Sequence, residues 1–174
     1  PAYHPFVRQL VTAKQMGVGD SARLMALAAV GLNEALIAVF DAKYAYNFWR
    51  PVTALRFEHM AGGSKSESDP AWTPFISTPM HPEYPCAHCV VSGAIGAVIR
   101  EELGGRPSPR LSSTSPTAPG VVHEWETVDA FMDEVAMARI YDGVHYRNST
   151  VVGNQIGKTV GALVQQRFAR PSGS

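Results

Sequence analysis

Hydrophobic residues dominate one long stretch in the first third of the chain. From Ser21 to about Tyr46 the sequence is apolar and rich in alanine, and Asp20 or Ser21 is suited to cap its first turn. Arg50-Pro51 ends the run, because the residue before a proline is pushed out of the α region. This pattern predicts a long, mostly buried helix.

Two further helices are predicted from the second half of the chain. The small apolar residues from Cys86 to about Leu103 favour a helix that packs closely against its neighbours, and Gly104-Gly105 ends it. The stretch 127–143 is amphipathic at helical spacing, and Gly143 breaks it.

The remaining segments complete an all-α prediction. A short helix is expected over 52–58, and a last helix from 149 or 150 to about 168. The segments 61–80 and 106–120 are rich in glycine, serine and proline and are predicted as loops. Since no alternating strand pattern is present, we predict one all-α domain of four or five helices over 1–174.

Charge and composition exclude several partners. Fifteen basic residues balance fifteen acidic ones, so net charge predicts neither nucleic acid nor a membrane surface as a partner. No uninterrupted apolar run reaches the roughly 18 residues of a membrane span. Two cysteines do not make a disulfide scaffold. Because the sequence starts at Pro1 rather than at Met, we expect a fragment or a processed product, such as the C-terminal half of a longer protein.

Basic and histidine residues in three separate stretches suit a bound oxyanion. Lys43 and Arg50 lie seven apart, about two helical turns, so both side chains can project from one face. His88 falls near a predicted helix N-terminus, where backbone N–H groups favour an anion. Arg139 and His145 are six apart across the predicted break. Three cations suit the oxygens of a tetrahedral anion, while one histidine ligates or attacks the central atom and the other moves protons.

These stretches resemble, in order, the signature of the type 2 phosphatidic-acid phosphatase and vanadium haloperoxidase superfamily. Its pattern K-x6-RP, PSGH and SR-x5-H stands here as Lys43…Arg50-Pro51, "PCAH" ending at His88, and Arg139…His145. The resemblance implies a helical bundle of that type. It also implies that the three cations bind the equatorial oxygens of vanadate or phosphate. His145 would be the axial vanadate ligand or the phosphate-accepting nucleophile, and His88 the acid/base. Vanadate would be the cofactor, and no haem is needed.

The sequence departs from the family pattern at several positions. Cys86 replaces the serine whose hydroxyl contacts an oxyanion oxygen, and a thiol donates only weakly. Ala87 replaces glycine but keeps a backbone N–H for the oxyanion. Ala138 replaces the serine before Arg139. The family's acidic residue that orients the histidine or arginine would be Asp20, Glu34, Asp41 or Asp142, or would come from another chain.

The haloperoxidase branch is favoured over the phosphatases. His81 lies seven residues before His88, where vanadium bromoperoxidases carry a histidine, so the resemblance places it on the halide side and favours bromide or iodide. The small-molecule partners would then be hydrogen peroxide and halide. Phosphomonoester hydrolysis through phosphohistidine is the main alternative, and a non-catalytic oxyanion-binding domain is another. Cys86-x-x-Cys89 also leaves open a dithiol switch or half of a zinc site. A homodimer is expected from the apolar first helix, and a secreted or periplasmic location from the resemblance.

Overall fold

The computed structural model describes residues 3–57, 69–104 and 106–168. Its elements are the helices α1 (His4–Ala13), α2 (Val18–Tyr46), α3 (Pro51–Phe57), α4 (Ala87–Leu103), α5 (Val128–Tyr141) and α6 (Arg147–Arg167), and the strands β1 (Leu111–Ser115) and β2 (Ala118–Trp125). The predictions for α2 to α6 are confirmed within a few residues at each end. The predicted tail beyond Phe168 and most of the first predicted loop lie outside the described residues.

Helix α4 forms the centre of the bundle, and glycines hold α6 directly against it. A Cβ atom added to Gly157 would lie 2.1 Å from the Val90 carbonyl oxygen, and one added to Gly161 would lie 2.5 Å from the Ala94 carbonyl oxygen. The two backbones therefore approach as closely as two helices can. This explains why the 86–103 stretch consists of small apolar residues.

Helix α2 buries a single stripe of residues at spacings of three, four and seven. The stripe comprises Leu24, Leu27, Ala28, Gly31, Ala35, Val39 and Lys43. Its last member is Lys43, so the face of α2 that packs against the core also places a lysine side chain in the interior. The helix ends at Asn47, whose left-handed conformation (φ 47°) turns the chain towards Arg50 and α3.

The stretch Val18–Phe57 is long and apolar enough to cross a membrane by length and composition. A buried core helix and a signal sequence near the N-terminus pass the same test, and 33% of the apolar window is buried here. The absence of a membrane span stays a prediction.

Two elements were not predicted from the sequence. Helix α1 buries Phe6, Val7 and Leu10 in the main core. Strands β1 and β2 form an antiparallel hairpin in which Leu111 faces Trp125, so the prediction of a loop over 106–120 was wrong. Strand β2 is exposed along most of its length and therefore lacks an alternating pattern. The hairpin is small, and the prediction of an all-α helical bundle is confirmed as the fold class.

Candidate oxyanion-binding site

Three cationic side chains from different parts of the chain are buried together at one end of the bundle. Lys43 is 0% exposed, Arg50 6% and Arg139 9%. Lysine and arginine are almost never this buried unless something pairs with them. The groups that pair with these three side chains are therefore the key to the site.

Lys43 is held by the backbone of the extended segment before α4. Its Nζ donates to the carbonyl oxygens of Pro82 at 2.8 Å and Glu83 at 2.9 Å. Burial lowers the Lys43 pKa to about 7, and the nearby charge of Arg50 acts in the same direction, while Glu83 opposes them. The positive charge of Lys43 is thus poorly compensated by the protein alone.

Arg50 joins the two histidines that flank it. Its Nη2 lies 3.1 Å from Nδ1 of His81, and its Nη1 lies 3.2 Å from Nε2 of His145. The same Nη1 donates to the Val144 carbonyl oxygen at 2.7 Å, and Nε donates to the His81 carbonyl oxygen at 3.1 Å. Since a guanidinium group only donates, Nε2 of His145 is the unprotonated nitrogen in this arrangement.

A buried carboxylate fixes the other side of the His145 ring. Nδ1 of His145 donates to Oε1 of Glu83 at 2.6 Å, and the Tyr146 N–H donates to the same oxygen at 3.0 Å. Both side chains of the His145–Glu83 pair are 1% exposed. Burial lowers the His145 pKa to about 4 in spite of the Glu83 hydrogen bond, so the ring is neutral near pH 7. Its unprotonated Nε2 accepts from Arg50 Nη1 at 3.2 Å, and a ligand would have to replace that hydrogen bond.

Arg139 carries a donor that no group satisfies among the residues that the structure describes. Its Nη1 donates to Oδ2 of Asp142 at 2.8 Å, but its buried Nε has no partner there. Burial lowers the Arg139 pKa, and Asp142 opposes that shift. Of the four acidic residues considered for orienting the site, Asp142 is the one that contacts it. The other three, Asp20, Glu34 and Asp41, are exposed on α2.

The two remaining histidines lie at the open side of the cluster. His88, the second residue of α4, is exposed to solvent on one side. Partial desolvation of its ring lowers its pKa to about 4, and the positive charge of Arg139 adds to the effect. His81 packs edge-on against Phe40 with ring centroids 5.2 Å apart, which holds it beside Arg50.

The chain matches known proteins over most of its length. Residues 23–173 match the family model of the VCPO second helical-bundle domain. The chain belongs to this family. It is similar to the vanadium chloroperoxidase of Curvularia inaequalis, with 26% identity over 79% of this chain and 29% of that protein.

Two solved structures place the VCPO-type bundle among haloperoxidases. A bacterial vanadium-dependent iodoperoxidase matches 96% of this chain and 38% of its own, with a TM-score of 0.82 and 26% identity. A bacterial vanadium-dependent chloroperoxidase matches 93% and 39%, with a TM-score of 0.75 and 20% identity, and supports the fold alone. The predicted haloperoxidase-like resemblance is confirmed. The chain spans less than two fifths of the length of these relatives, and whether it is part of a longer protein stays a prediction.

The Cys86 side chain has no hydrogen to donate to an oxyanion in this structure, and a place for Cys86 in the oxyanion pocket stays a prediction. Cys86 forms a disulfide with Cys89, so its sulfur carries no hydrogen to donate to an oxyanion; instead it accepts the Cys89 N–H at 3.2 Å. The Cys86 N–H is directed to the Ser149 carbonyl oxygen at 3.2 Å. Ala87 begins α4, so its N–H has no partner within the helix and stays a candidate donor. Within the described ranges no three His, Cys, Asp or Glu residues are grouped to hold a metal ion, which gives the zinc alternative no support.

Glu83 is the site residue that sequence reasoning missed. Its signal is an acidic residue between two prolines in "HPEYP", directly before the predicted helix. The structure shows a carboxylate with no exposed surface beneath His145. The spacing of the three motifs could not reveal it, because Glu83 reaches His145 across 62 residues of chain.

Proposed function

We propose that this bundle binds vanadate and uses it, with hydrogen peroxide, to oxidise halide. The observation that carries the proposal is the burial of three cations around a buried, neutral His145, whose unprotonated Nε2 faces Arg50 and could exchange that hydrogen bond for a bond to the anion's central atom. In this assignment Lys43, Arg50 and Arg139 bind the oxyanion oxygens. His145 would hold the anion's central atom through Nε2.

The charge balance of the cluster supports an anionic occupant. Three cations face two carboxylates, Glu83 and Asp142, which leaves one excess positive charge when Lys43 is protonated. The orphaned Nε of Arg139 supplies a donor ready for an oxygen. An oxyanion would satisfy both, and it would raise the lowered Lys43 pKa by restoring a negative neighbour.

Each of the other residues around the anion has a separate role in this proposal. Bound vanadate supplies a Lewis-acidic centre, at constant oxidation state, for the activation of peroxide. Glu83 holds the Nδ1 proton of His145 and so keeps Nε2 directed at the ligand position. Neutral His88 is placed to accept a proton from incoming peroxide and to return it to a leaving oxygen. The Ala87 N–H adds a neutral donor at the helix start.

His81 carries the halide side of the proposal. Its ring lies between Arg50 and Phe40, at the edge of the cation cluster. Burial lowers its pKa, and the cations Lys43, Arg50 and Arg139 add to that effect. A neutral imidazole donor next to Arg50 favours the approach of a soft anion, so we assign bromide or iodide rather than chloride.

Vanadate binding is the primary test, because the chain spans only part of its relatives. Titrate the purified chain with orthovanadate by calorimetry, then assay bromination of a dye with peroxide and bromide. We expect binding and bromination, both lost in His145→Ala and retained in His123→Ala. His123 is a fitting control because it lies on the exposed strand β2.

Each other outcome identifies a different function. Hydrolysis of a chromogenic phosphate ester by vanadate-free chain, without bromination, would establish the phosphatase that acts through phosphohistidine at His145. Oxyanion binding with neither activity would establish a non-catalytic binding domain. No binding of vanadate would overturn the proposal.

A further inference from the structure

We propose that the Cys86–Cys89 disulfide is a reversible redox modification site that sets the oxyanion affinity of the pocket. The disulfide form binds the anion, and the dithiol form binds it weakly. This inference rests on the proposed function, because it concerns the affinity of the same pocket.

The disulfide encloses the part of the helix start that faces the anion. Cys86 is the N-cap residue of α4, and only Ala87 and His88 lie between it and Cys89. These are the proposed backbone donor and the proposed acid/base. A cross-link over so short a segment fixes the path of its backbone directly, so the redox state of the sulfurs and the position of His88 are coupled.

The disulfide is buried, and the backbone and Cβ atoms of its α6 side are closely packed. Cys86 and Cys89 are 0% exposed. A Cβ added to Gly153 on α6 would lie 2.8 Å from the Cys86 carbonyl oxygen and 3.0 Å from Cβ of Cys89, so α6 closes that side. The Cys86 N–H bond to Ser149 attaches the same turn to the start of α6.

Reduction requires space that this packing does not provide. Bonded sulfurs lie about 2.05 Å apart, whereas unbonded heavy atoms separate to roughly 3.5–4.0 Å. Because α6 blocks one side, the first turn of α4 has to move, and it carries Ala87 and His88 away from their places beside the cations. The expected result is a lower affinity for the anion.

The chemistry balances with reagents that the proposed activity already uses. A small dithiol reduces the bond by exchange: the Sγ–Sγ bond breaks, two protein thiols form, and the reductant becomes a cyclic disulfide. Hydrogen peroxide reverses the change: two thiols lose two electrons and two protons, and the peroxide becomes two waters. The proposed oxidant would thus restore the binding form of its own enzyme.

Inorganic phosphate is the probe for the test, since thiols reduce vanadate. Treat the chain with dithiothreitol, remove the reagent without oxygen, and verify two thiols by alkylation and mass measurement. Titrate phosphate into oxidised, reduced and peroxide-reoxidised chain by calorimetry. We expect about a tenfold loss of affinity on reduction, as for other groups that support a ligand from behind, and recovery after peroxide. The double variant Cys86→Ser/Cys89→Ala should bind phosphate equally with and without dithiothreitol.

Three results would overturn the proposal. Equal affinity of the oxidised and reduced chains would overturn the proposal, as would loss of helical circular dichroism on reduction, which would make the disulfide purely structural. So would failure to reduce the folded chain. The proposed function is tested separately, by vanadate binding to the oxidised chain without thiols, and an oxidised chain that binds neither vanadate nor phosphate would overturn it. Hydrogen exchange at Ala87 and His88 still tests the redox site, and faster exchange after reduction is the expected result.

Discussion

Glu83→Gln tests whether the buried carboxylate makes His145 a better vanadate ligand. Two donors, Nδ1 of His145 and the Tyr146 N–H, converge on Oε1 of Glu83, so the amide oxygen of the variant must take that position. The new NH2 group then replaces Oε2, a buried atom without a partner among the described residues. The variant keeps the size and the geometry but replaces a charge-assisted hydrogen bond with a neutral one.

The magnitude follows from that single change. A hydrogen bond to a charged group contributes about 1.5–3 kcal/mol, against roughly 1 kcal/mol for a neutral one. Groups that hydrogen-bond to a metal-binding side chain typically alter the affinity for the metal by about 10- to 100-fold. Loss of a negative charge near the anion acts in the opposite direction, but it favours vanadate and phosphate alike. The informative quantity is therefore the ratio of vanadate to phosphate affinity, which we expect to fall about tenfold or more.

Calorimetry with both anions measures this ratio. Urea unfolding measures the loss of stability caused by the unsatisfied NH2 group, which we expect to lower the free energy of unfolding by about 1–3 kcal/mol. Glu124→Gln is the matched control. Glu124 lies on β2, and its exposed carboxylate pairs with Arg110. A folded Glu83→Gln chain whose affinity ratio stays within twofold of the wild type would refute the reasoning. In that case Glu83 would serve only to neutralise the cation cluster.

The remaining predictions concern packing and pH. Gly157→Ala should destabilise the fold by about 3 kcal/mol or more, because its Cβ would lie 2.1 Å from a backbone oxygen of α4. Gly19→Ala on α2, where nothing lies within 4 Å of the added Cβ, should stabilise the fold by about 0.5–1 kcal/mol. Thermal unfolding of both variants measures these changes. Equal changes in stability would contradict the close contact of Gly157 with α4. The free energy of unfolding should fall as pH drops from 6.5 towards 4. The unfolded chain binds protons on His88 and His145 near their ordinary pKa of 6.5, whereas the folded chain binds them only near 4. Urea unfolding across that range should show a shallower fall in His88→Gln, and an unchanged slope would contradict the lowered pKa.

The main helices could be predicted from the sequence because their packing leaves a mark on composition. The small residues of α4 reflect burial on most sides and close approach to α6, whereas the alanine-rich run of α2 buries one stripe and is not mostly buried as predicted. Helix α1 and the hairpin β1–β2 leave weaker marks. Helix α1 is short. Gln9 bonds both backbone groups of Ser112 on β1, and β2 is held by its backbone pairing with β1 rather than by a buried face.

The candidate site was predictable to the extent that it depends on spacing along the chain. Lys43 lies in the last turn of α2 and Arg50 directly before α3, and Arg139 and His145 flank one helix break, so their residue intervals carry the information. Glu83 and the disulfide depend on distances in space. A carboxylate on an extended segment and a Cys-x-x-Cys pair are each compatible with several roles until the neighbouring groups are known.

The glycine contacts between α4 and α6 determine the site as well as the core. His88 lies in the first turn of α4, and His145 lies just before α6, so the separation of the two helix starts sets the separation of the two histidines. Gly153 and Gly157 bring those starts together, and the Cys86–Ser149 backbone bond fixes their register. A larger side chain at either glycine would move a histidine relative to the cations held by α2 and α5. The small residues that looked like ordinary core packing in the sequence are thus also the geometric support of the oxyanion pocket.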